Sequence, residues 1–104
     1  MSNRKRSPYP EIYCDFNARM TERGFSLERN GSVKDLERLG LTLESVIGQQ
    51  FVFYMEDADD SGNPNDIMFD GIVIFSKEYG YLAIMTAGTD FYWRSNVEVG
   101  NESE

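Results

Sequence analysis

Glu56, Asp66 and Asp70 are the carboxylates that a folded sheet could bring together, and paired carboxylates can carry out acid–base hydrolysis. Nothing in their spacing requires them to meet. The chain has no histidine, which removes the commonest general base, the commonest metal ligand and every Ser–His or Cys–His pair. No glycine-rich loop ends in Lys-Ser or Lys-Thr, and there is no dinucleotide-binding glycine pattern. Cys14 lies beside Asp15 and close to Glu11, a setting that disfavours a thiolate, so it reads as a packing residue. These residues predict a protein with neither catalytic activity nor a cofactor.

The densest set of oxygen donors is the stretch 57–66, Asp-Ala-Asp-Asp-Ser-Gly-Asn-Pro-Asn-Asp. Asp57, Asp59 and Ser61, followed by Gly62, resemble the first half of an EF-hand calcium loop, which places ligands at positions one, three and five and glycine at six. Position twelve is Met68, where a bidentate glutamate belongs, and both flanks read as strands. The same residues are good turn formers. The expectation is a solvated hairpin loop, with a weak calcium site at Asp57, Asp59 and Ser61 as the alternative.

Aromatic residues gather toward the C-terminal end: Tyr79, Tyr81, Phe91, Tyr92 and Trp93. In a strand, Phe91 and Trp93 share one face and Tyr92 and Arg94 the other, so about half of them belong to a core. The remainder, with Arg94, has the composition of protein-interface anchors. Acidic neighbours complete a predicted partner surface of Asp59, Asp60, Glu78, Tyr81, Tyr92, Trp93 and Arg94. A base-stacking platform would use the same residue types. Nucleic-acid or nucleotide binding is therefore a further alternative, with Arg4, Lys5, Arg6, Arg19, Arg23 and Arg29 as its basic contacts.

The elements that must position these residues are mostly strands. Residues 12–20 alternate strictly, Ile12, Cys14, Phe16, Ala18 and Met20 against Tyr13, Asp15, Asn17 and Arg19, which predicts one half-buried strand. Gly24 breaks the chain, and 25–28 alternates again, so 12–28 reads as a hairpin. Val33, Leu36 and Leu39 predict a helix over 32–39, capped by Ser32 with Asp35 three residues on and closed by Gly40. Residues 41–48 read equally as an extended lead-in or one helical turn. Strands are expected at 51–55, 67–75, 81–86 and 91–95, with 77–80 and 87–90 as hairpin connections. Gly71, inside its strand, suggests a bulge or sharp bend.

A chain of 104 residues, 40% of them apolar, has room for one domain with a real core. Residues 1–8 read as a disordered basic tail, 9–98 as the domain and 99–104 as a disordered acidic tail. No apolar run approaches the roughly 20 residues of a membrane span, the basic start leads into no apolar signal region, and the lone cysteine forms no internal disulfide. The expected location is the cytoplasm.

Charge is divided unevenly. Residues 1–39 hold eight Lys/Arg against six Asp/Glu, whereas 40–104 hold two against twelve, a balance of −10 within a net −8. Such a surface repels phosphates and anionic membranes and suits a basic protein.

The four closely connected C-terminal strands with a long acidic loop between the first two resemble an SH3-like small barrel. The layout is also similar to short uncharacterised bacterial proteins with an Asp15-Phe16-Asn17 strand and a Gly31-Ser32-Val33-Lys34-Asp35-Leu36 helix start. The resemblance implies recognition and no activity. The sequence thus predicts an α+β, mostly β domain: a strongly curved antiparallel sheet or small barrel with one short helix. Its expected function is non-catalytic binding of a basic protein as a regulator, adaptor or inhibitor, of the kind immunity-type or phage-encoded proteins perform.

Overall fold

The computed structural model describes residues 5 and 7–97. Arg4 and Arg6 of the basic cluster, and the acidic tail at 99–104, lie outside the described residues. The elements are β1 (Glu11–Tyr13), β2 (Arg19–Thr21), β3 (Gly24–Ser26), α1 (Asn30–Arg38), β4 (Gln50–Met55), β5 (Ile67–Ser76), β6 (Gly80–Met85) and β7 (Tyr92–Trp93). Single 3₁₀ turns lie at Glu44–Val46 and Arg94–Asn96. The described residues are mostly β with one α-helix, and no helix among them is long and apolar enough to cross a membrane.

The strands form one sheet in the order β1-β4-β5-β6-β3-β2, with β7 added alongside the start of β5. β4, β5 and β6 are antiparallel neighbours, but β1 runs parallel to β4, so the sheet is mixed and not wholly antiparallel. It is also open: no ladder joins edge strands β1 and β2, and the closed barrel is not formed. The sheet is nonetheless strongly curled. Laid flat, six strands would separate β1 from β2 by about 24 Å. The connection 14–18 can span about 21 Å at full extension, and it contains a turn. Phe16 fills the open seam from this connection, its ring 5.2–5.5 Å from those of Phe25, Phe69 and Phe91.

That connection corrects the expected strand over 12–20. The chain leaves β1 after Tyr13 because the Asp15 carboxylate accepts the Asn17 N–H and the Asp15 carbonyl accepts that of Ala18. Short polar side chains offer the backbone this local alternative to a ladder. The alternation still reports burial: Ile12, Cys14 and Ala18 are buried, but Met20 is exposed. The hairpin shrinks to β2–β3. The last expected strand, 91–95, shrinks to β7, because Arg94 begins a 3₁₀ turn.

The core faces α1. Phe51 and Phe53 of β4, Phe69 and Val73 of β5 and Ala83 and Met85 of β6 meet Leu36 of α1 and Val46 of the first 3₁₀ turn. Gly40, with φ +75°, ends α1: its N–H bonds the Glu37 carbonyl while that of Leu41 bonds Leu36. That is a Schellman closure, as the glycine predicts.

The start of α1 is not capped as expected. Arg29 occupies the N-cap position without a side-chain bond. Ser32 and Asp35 instead face β1, an edge strand. Ser32 Oγ donates to the Tyr13 carbonyl at 2.5 Å, and Asp35 Oδ2 accepts the Tyr13 N–H at 2.9 Å and the Tyr54 hydroxyl at 3.1 Å. Both outward backbone groups of Tyr13 are satisfied, which closes that edge to further strands.

Residues 41–48 contain the short 3₁₀ turn, where Thr42 and Ser45 exchange side-chain bonds with each other's N–H. Gly71 keeps the β5–β6 register without a bulge. Its role is steric: a Cβ there would collide with the Ile84 carbonyl.

Candidate functional site

The predicted partner residues fall at opposite ends of β5. Tyr92 and Trp93 pair with Met68 and Ile67 at its start, beside Arg94 and the acidic 57–66 loop. Tyr81 pairs with Phe75 near its finish, beside Glu78. Met68 and Phe75 are seven strand steps apart, roughly 23 Å. The residues do not make one site.

Arg94 organises the acidic end. Its guanidinium donates to both carboxylate oxygens of Glu11, at 2.7 and 3.1 Å, and through Nε to Asp66 at 2.8 Å. Its own N–H bonds the Asp66 carbonyl, and its guanidinium carbon lies 5.7 Å from the Tyr54 ring centre. The Glu11 contact, then Asp66, raises the Arg94 pKa despite partial burial. The residue keeps its charge, and that charge is spent on two internal carboxylates. Grooves of about 710 and 390 Å³ flank it. Ser7, Pro8, Tyr9, Pro10 and Glu11 line the larger with Arg94.

Beyond this clamp lie Glu56, Asp57, Asp59 and Asp60, which form no ion pair among the described residues. Their loop is a tight hairpin, with a bridge between Ala58 and Pro64. Asp59 Oδ1 accepts the N–H groups of Ser61 and Asn63, and Asp57 Oδ1 accepts that of Ala58. The two carboxylates proposed as calcium ligands are thus turned onto their own backbone. No group of three or more His, Cys, Asp or Glu among the described residues is placed to hold a metal ion.

Tyr92 and Trp93 are half-buried, and the Tyr92 hydroxyl donates to Asp70 at 2.6 Å. Phe91 belongs to the aromatic core with Phe16, Phe25 and Phe69. Glu56, Asp66 and Asp70 have separate surroundings: Asp66 bonds Arg94, Asp70 bonds Tyr92, and Glu56 is exposed. Cys14 is fully buried, and burial pushes its thiol pKa well up.

At the other end the β5–β6 turn presents Phe75, Tyr79 and Tyr81. Phe75 and Tyr81 stack edge-to-face at 5.0 Å. Sequence reasoning missed Glu11 and Asp66 as partners of Arg94, because those contacts span 83 and 28 residues. It also missed Phe75. The available signal was its place as the last apolar residue before the turn. No family model matches the chain, and neither a curated protein nor a solved structure proves similar to it.

Proposed function

We propose that the protein is a non-catalytic binding module, a regulator, adaptor or inhibitor in the cytoplasm, which uses its acidic loop end to engage a basic protein. The observation that carries this reading is the division of charge around Arg94. Among the described residues the Arg94 guanidinium is taken up by Glu11 and Asp66, while Glu56, Asp57, Asp59 and Asp60 form no ion pair beside half-buried aromatics. A lysine- or arginine-rich segment gains from those carboxylates, and little ordering is needed in a loop already held by its own hydrogen bonds. Asp59 and Asp60 steer encounter; Trp93 and Tyr92 supply apolar contact. The flanking grooves give such a segment somewhere to lie.

Trp93 is the only tryptophan, so its fluorescence reports on this end. Titration with a lysine-rich peptide should shift that emission, and the association rate should fall as salt shortens the screening length to about 8 Å near 0.15 M. Asp59→Asn with Asp60→Asn should slow association several-fold. An association rate indifferent to salt, or tighter binding to duplex DNA or RNA than to the basic peptide, refutes the reading.

A further inference from the structure

The residue that fills the open seam of the sheet is held by a sulfur. The Phe16 N–H donates to the Met55 thioether, with nitrogen and Sδ 3.3 Å apart. A thioether is a weak acceptor, and the Phe16 N–H has no other partner among the described residues. The Phe16 ring meanwhile packs against Phe25, Phe69 and Phe91. One methionine thus fixes the backbone of the side chain that fills the gap between β1 and β2.

Met55 is the last residue of β4. It lies opposite Ile67 of β5, and Ile67 lies opposite Trp93 of β7. Residues opposed across neighbouring strands point to the same face, so Met55, Ile67 and Trp93 form one row. Met55 and Phe16 are half-buried, within reach of a small molecule from solvent. Met68 and Met85 are sealed, at 2% and 4% exposure. Met20 is 37% exposed on β2, but its sulfur accepts no hydrogen bond among the described residues.

Peroxides oxidise accessible methionine sulfur. A sulfur lone pair attacks one peroxide oxygen, the O–O bond breaks, and that oxygen stays on sulfur. Sulfur gives up two electrons, and hydrogen peroxide is reduced to water. The sulfoxide is polar, chiral and larger by one oxygen. In one epimer the new oxygen stands where the Phe16 N–H now meets sulfur, and the chain must retreat to make room for it. In the other, the N–H faces a sulfur that has lost electron density and accepts still more weakly. Both products break the present contact.

We infer that Met55 is a redox-sensitive site: a peroxide converts it to the sulfoxide, Phe16 loses its hold, and the seam between β1 and β2 loosens. Oxidation of Met20 has no such consequence. Thiol-dependent reduction of the sulfoxide restores the closed seam.

Hydrogen peroxide acting on the folded full chain, with peptide mass spectrometry to locate the added oxygen, tests it. Met20 and Met55 should gain oxygen while Met68 and Met85 stay reduced. The oxidised chain should show a roughly 10-fold lower folded-to-unfolded ratio in urea titrations. Exchange of the Phe16 amide should quicken by about the same factor, and the emission of Trp93 should shift. Met20→Leu should respond to peroxide as the parent does. Met55→Leu should not respond; leucine for methionine keeps the core volume, so this chain folds. Methionine sulfoxide reductases for both epimers, with a dithiol, should return the oxidised chain to the parent's stability. A Met55 that stays reduced in the folded chain, an oxidised chain as stable as the parent, or an equal loss on oxidation of Met55→Leu overturns the inference.

Discussion

The two ends of β5 use polar groups in opposite ways. At the start of the strand they hold the fold: Arg94 ties the last 3₁₀ turn to β1 and to Asp66 just before β5, and Asp35 ties α1 to β1 and β4. At the finish, Lys77 and Glu78 form no ion pair among the described residues, and the rings beside them are left partly in water. The difference follows from cover. α1 and the C-terminal segment pack over the first end and must bring partners for each polar group they bury. In the turn at 77–80, Lys77 and Glu78 are exposed, so their charges meet solvent at no cost. Mutations of the buried or paired polar groups at the first end should therefore cost stability, and those of the exposed charges in the turn should not.

The largest expected effect lies at Asp35, which is 6% exposed. Asp35→Ala leaves the Tyr13 N–H and the Tyr54 hydroxyl without partners and should cost about 3 kcal/mol in urea unfolding. A loss below about 1 kcal/mol would mean that water replaces the carboxylate and that this end is not tied as described. The same contact has a pH signature. Burial, then the neighbouring Asp35 carboxylate, raises the Tyr54 pKa to about 12. Its contribution is complete below the unfolded value of about 10 and fades as pH rises through 12. An absorbance titration should show a late-ionising tyrosine that is missing in Tyr54→Phe.

Arg94→Ala should cost less, about 1–2 kcal/mol, since its side chain is 40% exposed and solvent screens the pairs. Calorimetry of Arg94→Lys sharpens the test, because lysine keeps the charge but cannot bond Glu11 through two nitrogens. If Arg94→Lys matches the parent in stability, charge alone holds the clamp.

The smallest effect belongs to the tip. Lys77→Glu should alter folding stability by no more than about 0.5 kcal/mol. A larger loss would show that the tip's charges serve the fold after all, and the contrast between the two ends would fail.

Both ends were partly legible. The acidity of residues 57–66, the turn at 77–80 and the aromatics near them stand in the sequence, and so does the excess of carboxylates over cations in residues 40–104. Which charges remain free was not legible, because that depends on pairings across the fold.

What the sequence determined by itself is local. The β-branched and aromatic runs of β4, β5 and β6 dictate extended chain, and Gly40 dictates where α1 stops, since few other residues accept its φ. Tertiary structure decided the rest. A period of two at 12–20 records which side chains are buried, and it reads the same whether the chain runs straight or turns at Asp15. A spacing of three between Ser32 and Asp35 suits a cap, and it also sets both on one face of a helix; only the arrival of β1 chose between them. Phe75 matches the buried phenylalanines in type and alternation, and it lies in water because the cover over the sheet ends before reaching it.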